Sequence, residues 1–287
     1  MAVTDLSIII VGLNTKQYLL PCLGSIIKSS VEKKIKMEII YVDNGSTDGS
    51  IGSFQNLKIK MQKCNIKLKI IENKENLGFT RPNNQGAGIA EGKYLFFLNS
   101  DTVILDEALV KMTTYLNNHP EVGILGPKLF NSQKKDLQRS STGKLDPLTA
   151  IFAFSFLNKY FPNNYFSRRY FLTDWSRETI KEVAAVSGAA LMIRAELFRS
   201  VGGFDERFFI YFEENDLCLA VEKKDKKVIY FPEAQVIHYG GRATQKIPLQ
   251  MKKAFKQSRY RFFEKHYGLL AAIVTEGLLR FFEFLRQ

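Results

Sequence analysis

The chain has 287 residues, enough for one large α/β domain or two small ones with a well-buried core. Its composition is 45% hydrophobic and 24% charged, which is ordinary for a globular protein, and no low-complexity segment, Pro-rich linker or internal repeat stands out. The net charge of +12 is uneven: residues 241–287 hold ten Lys or Arg and three Glu, a net charge of +7.

The first third of the chain alternates short apolar runs with helical segments. The apolar runs occupy residues 6–11, 37–42, 67–72 and 93–98. The helical segments lie near residues 16–29, 48–64 and 80–91. Apolar strands separated by helices predict an α/β fold, with a parallel sheet covered by helices on both faces. Ligands bind such sheets beyond the carboxyl ends of the strands, where Asn14, Asp43 and Asn99–Asp101 fall.

The second half is less regular. Residues 123–130 and 183–195 are interpreted as strands around a long insertion, 131–182, that contains Trp175. The insertion is a candidate acceptor-binding segment. We expect one catalytic domain, residues 1–245, followed by basic and apolar helices over 246–287.

The cysteines and the N-terminus indicate the compartment. Cys22, Cys64 and Cys218 are far apart and odd in number, which fits no metal-ligand spacing and favours a reducing cytosol. The apolar run "LSIIIV" begins at residue 6 with no basic segment before it, so no signal peptide is expected.

The segment "IIYVDNGSTDGS" ends its strand in a carboxylate, Asp43. Asp43 could accept the N3–H of uracil or thymine. A plain turn is the alternative, with Ser46 or Thr47 as a helix cap and Asp48 in the first turn. The turn explains Gly45–Asp48 but, on this interpretation, does not require Asp43.

The segment "ENLGFTRPNNQGAGIAEG" places Gly78 in a loop, and Asn84 and Gly86 at a helix start. Amide groups there suit the polar edges or the diphosphate of a nucleotide sugar. The segment has neither the glycine pattern of a dinucleotide site nor that of a P-loop, and taken alone it is a weak signal.

Asn99, Ser100 and Asp101 follow the fourth strand. Asp106 already stands as the N-cap of the next helical pattern, so Asp101 is free for another task. Its carboxylate is a ligand for Mg²⁺ or Mn²⁺, and His238 at a later strand end could complete the coordination. A lone histidine is more often structural.

Three acids, Glu213, Glu214 and Asp216, begin another helical pattern. They would favour the helix macrodipole wherever they lie. In a cleft, burial and mutual repulsion would instead raise one pKa toward the range of a general base.

The C-terminal stretch "GLLAAIVTEGLLRFFEFLRQ" is apolar but carries Glu276, Arg280 and Glu283. These charges argue against a transmembrane span and favour a helix lying in the interface of an anionic membrane. The alternatives are an ordinary packed helix and a nucleic-acid-binding tail, for which the sequence shows no signature.

Six segments, in this order, resemble family 2 glycosyltransferases with the GT-A fold, over residues 5–267. They are "SIIIVGLN", "YVDNGSTDGS", "NLGFTRPNNQG", "FLNSDT", "VSGAALMIRAELFRSVGGFDERFFIYFEENDLCLAV" and "VIHYGG". The long fifth segment looks most like the rhamnosyltransferase-like branch, whose members extend bacterial surface polysaccharides on lipid-linked acceptors.

The resemblance implies an inverting hexosyltransferase with a GT-A, Rossmann-like, mostly parallel sheet. It implies that Asp43 holds the base, that Asp101 and His238, with Asn99, hold Mg²⁺ or Mn²⁺, and that Glu214 is the catalytic base. The predicted donor-nucleotide residues are Asn14, Asp43, Asn44, Ser46, Gly78, Arg81, Asn84, Gly86 and Ser100. Trp175 and Gly188 are assigned to the acceptor side.

Two departures from the family pattern matter. Gly12-Leu13-Asn14 replaces the usual Asn-Tyr-Asn, and Glu213-Glu214 replaces Glu-Asp, which leaves Asp216 as a rival base. Glu213 is the third candidate catalytic residue. The branch implies dTDP-L-rhamnose as donor, although UDP-hexoses would meet Asp43 equally well. It also implies a saccharide or polyprenyl-diphosphate-linked acceptor at the cytoplasmic face of the inner membrane.

Two other function classes are weaker. A nucleotidyltransferase would want a Gly-rich loop with a basic residue after the first strand, where "VGLNTKQYL" offers only Lys16. A non-catalytic module that binds membranes or nucleic acid would leave the polar rim of the sheet unexplained.

Overall fold

The computed structural model describes residues 4–31, 35–61, 66–131, 136–240 and 248–285. Cys64, Gly241, Arg242, Lys246, Arg286 and the predicted domain boundary at residue 245 lie outside these ranges. The strands are β1 (Leu6–Gly12), β2 (Met37–Asp43), β3 (Lys67–Glu72), β4 (Tyr94–Asn99), β5 (Thr102–Ile104), β6 (Val122–Phe130), β7 (Ser141–Thr142), β8 (Lys181–Glu182), β9 (Ala185–Val186), β10 (Ala190–Arg194) and β11 (Lys227–His238). The helices are α1 (Lys16–Val31), α2 (Ser50–Met61), α3 (Thr80–Gly88), α4 (Ala108–Asn118), α5 (Pro147–Phe154), α6 (Leu157–Tyr160), α7 (Tyr165–Phe171), α8 (Ala195–Ser200), α9 (Glu213–Glu222), α10 (Pro248–Tyr267) and α11 (Leu269–Phe284).

One large sheet organises the described residues. Its strand order is β3-β2-β1-β4-β10-β6-β11-β5, with β8 paired to β11, while β7 and β9 form a small second sheet. Strands β1 to β4 are parallel, β10 runs antiparallel to β4 and β6, and β11 is parallel to β6. The predicted α/β class with a mostly parallel sheet and flanking helices is confirmed.

Three local predictions were wrong in detail. The strand expected over 183–195 is two strands, β9 and β10, separated by residues 187–189, and β10 is antiparallel to β4. The helix expected over 80–91 ends at Gly88. Asp106 is not the N-cap of α4: the cap position is Glu107, whose carbonyl accepts the N–H of Lys111, and Asp106 has φ 45°.

The sheet separates two apolar cores because successive side chains of a strand point to opposite faces. In β1, Ile8 and Ile10 pack with α1 and α4 residues such as Leu19 and Leu109. Ile9 faces the other layer. The polar ends of β1, β2 and β4 therefore share one rim, as the sequence predicts.

A third core joins the C-terminal helices to the catalytic half. Phe262 and Phe263 of α10 and Ala272 of α11 are buried together with Phe208 and Phe212, which precede α9. The predicted C-terminal helices thus pack on the acid-bearing segment. Among the described residues, no helix is long and apolar enough to cross a membrane.

Candidate active site

The first part of the rim is the turn after β2. Asp43 is fully buried; its Oδ2 accepts the N–H groups of Gly45 (3.2 Å) and Ser46 (2.8 Å), and its Oδ1 accepts the hydroxyl of Tyr41 (3.0 Å). The interpretation that the turn does not require Asp43 was therefore wrong. A base N3–H would have to share this carboxylate with the turn and with Tyr41. Burial, reinforced by the Asp43 charge, raises the pKa of Tyr41, which keeps its hydroxyl protonated as the donor.

Asn14 connects the turns after β1 and β2. Its Oδ1 accepts the N–H of Thr47 (2.8 Å), and its own N–H is donated to Ser46 Oγ (2.9 Å). Asn14 has φ 53°, a left-handed conformation that asparagine tolerates better than most residues. Asp48 does not act from within the first turn as expected: it precedes α2, and its carboxylate accepts the N–H groups of Lys16 and Ser50.

The second part of the rim is the loop that leads into α3. Asn44 is buried. Its Oδ1 accepts a hydrogen bond from the N–H of Leu77 (3.0 Å), and its Nδ2 donates one to the carbonyl oxygen of Gly78 (2.8 Å). Gly78 has φ 85°, and a Cβ there would overlap the carbonyl oxygen of Phe209. The backbones of the predicted donor loop and of the segment before α9 are therefore in direct contact, since Phe79 N also donates to Phe209 O (2.6 Å).

Three other predicted donor residues make contacts within the fold. Asn84 pairs its amide with the backbone N–H and carbonyl of Phe204, at 3.0 and 2.8 Å. Gly86 lies against Ile9, because a Cβ would come 2.6 Å from Ile9 Cγ2. The contacts of Asn84 and Gly86 favour a structural role over the predicted donor contact. Arg81 is more than half exposed and pairs with Glu206 (3.2 Å).

The predicted metal ligands do come together. His238 Nε2 lies 3.4 Å from Asp101 Oδ1 and 3.3 Å from Asn99 Nδ2. Ser100 is buried between Asn99 and Asp101. Among the described residues, no three His, Cys, Asp or Glu side chains are grouped so that they could hold a metal ion, and this site combines one carboxylate and one imidazole with an amide.

Gln138, which the sequence did not single out, fixes the ring of His238. Its Nε2 donates hydrogen bonds to Asn131 Oδ1 (2.7 Å) and to the carbonyl oxygen of His238 (3.0 Å). Its Oε1 therefore faces His238 Nδ1, at 3.0 Å. In the neutral ring, Nδ1 then carries the proton, and the lone pair of Nε2 points toward Asp101 and Asn99. Two electron-rich atoms at 3.4 Å suit a shared cation, so these residues fit Mg²⁺ or Mn²⁺.

The acid pair begins α9 after a distorted backbone. Tyr211 and Phe212 both have positive φ, 73° and 68°. The Oε2 atoms of Glu213 and Glu214 are buried without a hydrogen-bond partner among the described residues. Burial, with the Glu214 charge second, raises the pKa of Glu213 well above its ordinary value, and burial raises that of Glu214 as well. Such strain and such shifts are typical of catalytic carboxylates.

Gly188 connects the acid pair to the predicted metal site. A Cβ on Gly188 would lie 3.7 Å from Glu213 Oε1. The next residue, Ala189, accepts the N–H of Asn99 at 2.9 Å. The acid pair and the end of β4 are thus separated only by the 188–189 backbone.

Asp216 lies apart from this arrangement. Its carboxylate is 2.8 Å from Lys265 Nζ and 2.7 Å from His266 Nε2, both on α10, and the carboxylate and imidazole are almost fully buried. These two partners leave Asp216 poorly placed to take a proton from an acceptor. No sequence signal linked residues almost 50 positions apart.

Trp175 and the cysteines belong to packed regions. The Trp175 ring meets Tyr230 edge-on (4.9 Å between centroids), and the cations of Arg177 and Lys181 lie over its face. Cys22 and Cys218 are free and buried, and burial raises the pKa of each thiol to about 12, so both stay protonated.

Comparison with known proteins identifies similar chains. The family model described as "Glycosyl transferase family 2" matches residues 7–201. An uncharacterized glycosyltransferase of Haemophilus influenzae is 32% identical over 123 residues, 43% of this chain and 36% of the relative. The N-acetylglucosaminyl-diphospho-decaprenol L-rhamnosyltransferase of Mycobacterium tuberculosis is 23% identical over 237 residues, 81% of this chain and 76% of the relative.

Among solved structures, GalNAc-T7 with UDP, GalNAc and Mn²⁺ is similar, with a TM-score of 0.62 and 17% identity over 82% of this chain and 44% of that protein. At that identity the likeness establishes the fold, which is the predicted GT-A fold.

Proposed function

The chain belongs to glycosyltransferase family 2, and from that premise we propose that it transfers L-rhamnose from dTDP-L-rhamnose, with inversion at the anomeric carbon. The acceptor is a saccharide or a lipid-linked saccharide used to build a bacterial surface polysaccharide. One observation carries the proposal: buried carboxylates of raised pKa lie one short backbone segment from the Asp101–His238 pair.

Glu214 is the proposed base. Glu214 is partly exposed, whereas only 5% of Glu213 is exposed. The carboxylate of Asp216 is already paired with Lys265 and His266. A carboxylate whose pKa is raised by burial holds a proton more strongly than one in water. Glu214 therefore takes the proton of the acceptor hydroxyl as that oxygen attacks the sugar from the face opposite the leaving diphosphate.

Asp101 and His238, with Asn99 beside them, would hold the divalent cation. When bound, Mg²⁺ or Mn²⁺ supplies the positive charge that stabilises a departing diphosphate. Gln138 keeps the His238 lone pair directed at this position. Asp43, Asn14 and Ser46 form the neighbouring rim, where the proposal puts the pyrimidine nucleotide.

The sugar is proposed from the mycobacterial relative, whose name specifies an L-rhamnosyltransferase acting on a diphosphate-linked lipid. A UDP-hexose is the second candidate donor, favoured by the similar structure that contains UDP. A lipid-linked acceptor would put the enzyme on the cytoplasmic face of the inner membrane, as a peripheral protein.

The test is release of nucleoside diphosphate from a panel of dTDP- and UDP-sugars, with and without Mn²⁺, using membrane lipid extract as acceptor. We expect Mn²⁺-dependent turnover of dTDP-L-rhamnose. Turnover of a UDP-hexose alone would replace the donor. If no donor turns over, calorimetry with dTDP and UDP decides: absence of binding to both would overturn the proposal.

A further inference from the structure

Helix α11 presents an apolar face that no other described segment covers. Its inner side is packed through Ala272, Thr275 and Leu279. The outer side repeats every three or four residues, and Leu270 and Phe284 near its two ends are 75% and 73% exposed. The exposed apolar residues on this side are Leu270, Ile273, Val274, Leu278, Phe281 and Phe284. An amphipathic helix of this kind requires either a partner or an interface.

The insertion also exposes aromatic side chains, in a segment that contacts this helix. Tyr160, Phe161 and Tyr165, at the junction of α6 and α7, are each more than half exposed. Phe156, which begins α6, packs against Phe282 of α11 at 5.2 Å between ring centroids, and this contact joins the two elements. We call the six α11 residues together with these three aromatics the docking face.

A basic groove borders the docking face. It lies between α10 and α11 and has a volume of about 780 Å³. Its lining includes Leu249, Lys252, Lys253, Lys256, Arg261 and Arg280. Residues 248–285 carry seven Lys or Arg against three Glu, a net charge of +4. Three of these seven are already paired with acids of the same helices, Arg259 and Arg280 with Glu276 and Lys256 with Glu283. Lys265 is paired with Asp205 and Asp216.

We infer that the docking face enters the interface of an anionic lipid bilayer, with the basic groove at the level of the headgroups. Apolar and aromatic side chains beside a cluster of Lys and Arg are the two signals that together hold a protein at such a surface. A second copy of this chain fits less well, because its equally basic border would repel the first.

This inference deepens the proposed function, since a lipid-linked acceptor would be met at such a surface. The same α10 that carries the groove also holds the acid-bearing α9, through Lys265 and His266 to Asp216. The docking face and the acid pair are therefore connected through α10. Binding to the bilayer sets the distance at which the site meets a membrane-bound acceptor.

The experiment is co-sedimentation of the whole chain with vesicles of phosphatidylcholine alone and of phosphatidylcholine with phosphatidylglycerol. We expect binding only to the anionic vesicles. Leu270→Gln with Phe281→Gln should weaken it at least about tenfold, because two large apolar side chains are removed from the interface. Lys252→Glu with Lys253→Glu should weaken it by more than about tenfold, since each basic residue near an anionic surface contributes roughly fivefold.

Matched controls lie outside the docking face. Leu20→Gln changes an exposed apolar residue of α1, and Lys223→Glu with Lys224→Glu changes an equivalent exposed lysine pair that follows α9. Neither should alter vesicle binding. Calorimetry with dTDP or UDP shows in every variant whether the nucleotide site is intact, so loss of vesicle binding is separable from failure of the proposed transfer.

Three outcomes would overturn the inference. The first is equal sedimentation with and without anionic vesicles, and the second is an equal loss of vesicle binding in the control variants. The third is a dimer in analytical ultracentrifugation that the Leu270→Gln and Phe281→Gln pair dissociates, which would assign the face to a second copy.

Discussion

Glu213, Glu214 and Asp216 are three carboxylates on one helical turn, and their surroundings give them different chemistry. Glu214→Gln should lower turnover roughly 10²- to 10⁴-fold, because the amide cannot accept the acceptor proton. Nucleotide affinity measured by calorimetry should stay within about twofold, since the donor contacts are untouched.

Asp216→Asn should lower thermal stability, because it weakens the contacts of Asp216 with α10, and it should retain turnover. If Glu214→Gln retains turnover and a folded Asp216→Asn or Glu213→Gln variant loses it, the residue whose substitution abolishes turnover is the base instead.

The raised pKa of Glu213 has a consequence for stability. Above its ordinary value of 4.5, the folded protein keeps a proton on Glu213 that the unfolded chain releases. Stability is therefore lost as pH rises from that value through the folded-state pKa. Glu213→Gln has no such proton, so its melting temperature should exceed that of the wild type near pH 8 and match it near pH 4.

Thermal unfolding across this range checks the effect. Glu222→Gln, an exposed substitution on the same helix, is the control and should run parallel to the wild type at every pH. A constant difference between Glu213→Gln and the wild type would contradict the burial of a proton at Glu213.

Gln138 positions His238 without touching the cation site itself. Gln138→Leu removes the acceptor of the His238 Nδ1 proton, so the ring is free to turn and to change tautomer. We expect Mn²⁺ affinity to fall roughly 10- to 100-fold, which is the usual cost of losing such a partner. Electron paramagnetic resonance of free Mn²⁺ measures this without any turnover. Gln55→Leu, on exposed α2, is the control; equal affinities in both variants would remove Gln138 from this role.

At the scale of elements, the sequence was informative wherever the signal was local. The sequence predicted β1 to β4 and their common rim from apolar runs and from the polar residues that end them. This was possible because the pattern of a strand is formed by residues that are neighbours in the chain. The Gln138–His238 and Asp216–Lys265 contacts join residues 100 and 49 positions apart, and no local pattern encodes them. Asp43 is a different case: its carboxylate accepts the N–H groups of residues two and three positions on, a local Asx-type turn that the interpretation of this segment left out.

The pairing of α10 with α11 includes a buried ion pair in addition to apolar packing. Arg259 and Glu276 are 3% and 6% exposed, and the guanidinium contacts Glu276 Oε2 at 2.8 and 3.0 Å. Glu276→Gln would leave the Arg259 charge buried without a carboxylate, and we expect a loss of about 3–5 kcal/mol in the free energy of unfolding. Glu283→Gln breaks a partly exposed pair on the same helix and should cost about 1 kcal/mol or less. Equal losses in urea titrations would contradict the buried pair.

At the scale of the whole molecule, the described residues form three apolar cores, and the third is shared by the C-terminal helices and the segment that leads into α9. Phe262 of α10 packs on Phe212, one residue before the acid pair, while Lys265 and His266 hold Asp216. The sequence predicted a division near residue 245 because composition changes there. Composition does not reveal which buried surfaces two segments share, so the division is a matter for unfolding experiments.

A single tryptophan makes that experiment direct. Trp175 packs on Tyr230 in the second core, away from α10 and α11, whereas circular dichroism reports all helices. If the C-terminal helices unfold together with the catalytic half, Glu276→Gln should lower the urea midpoint of Trp175 fluorescence and that of circular dichroism by the same amount. If the C-terminal helices unfold independently, the urea midpoint of Trp175 fluorescence should stay unchanged. Only the part of the circular dichroism signal that comes from these helices should then shift to lower urea. Glu283→Gln, which should move neither midpoint appreciably, guards against a general effect of removing a charge from α11.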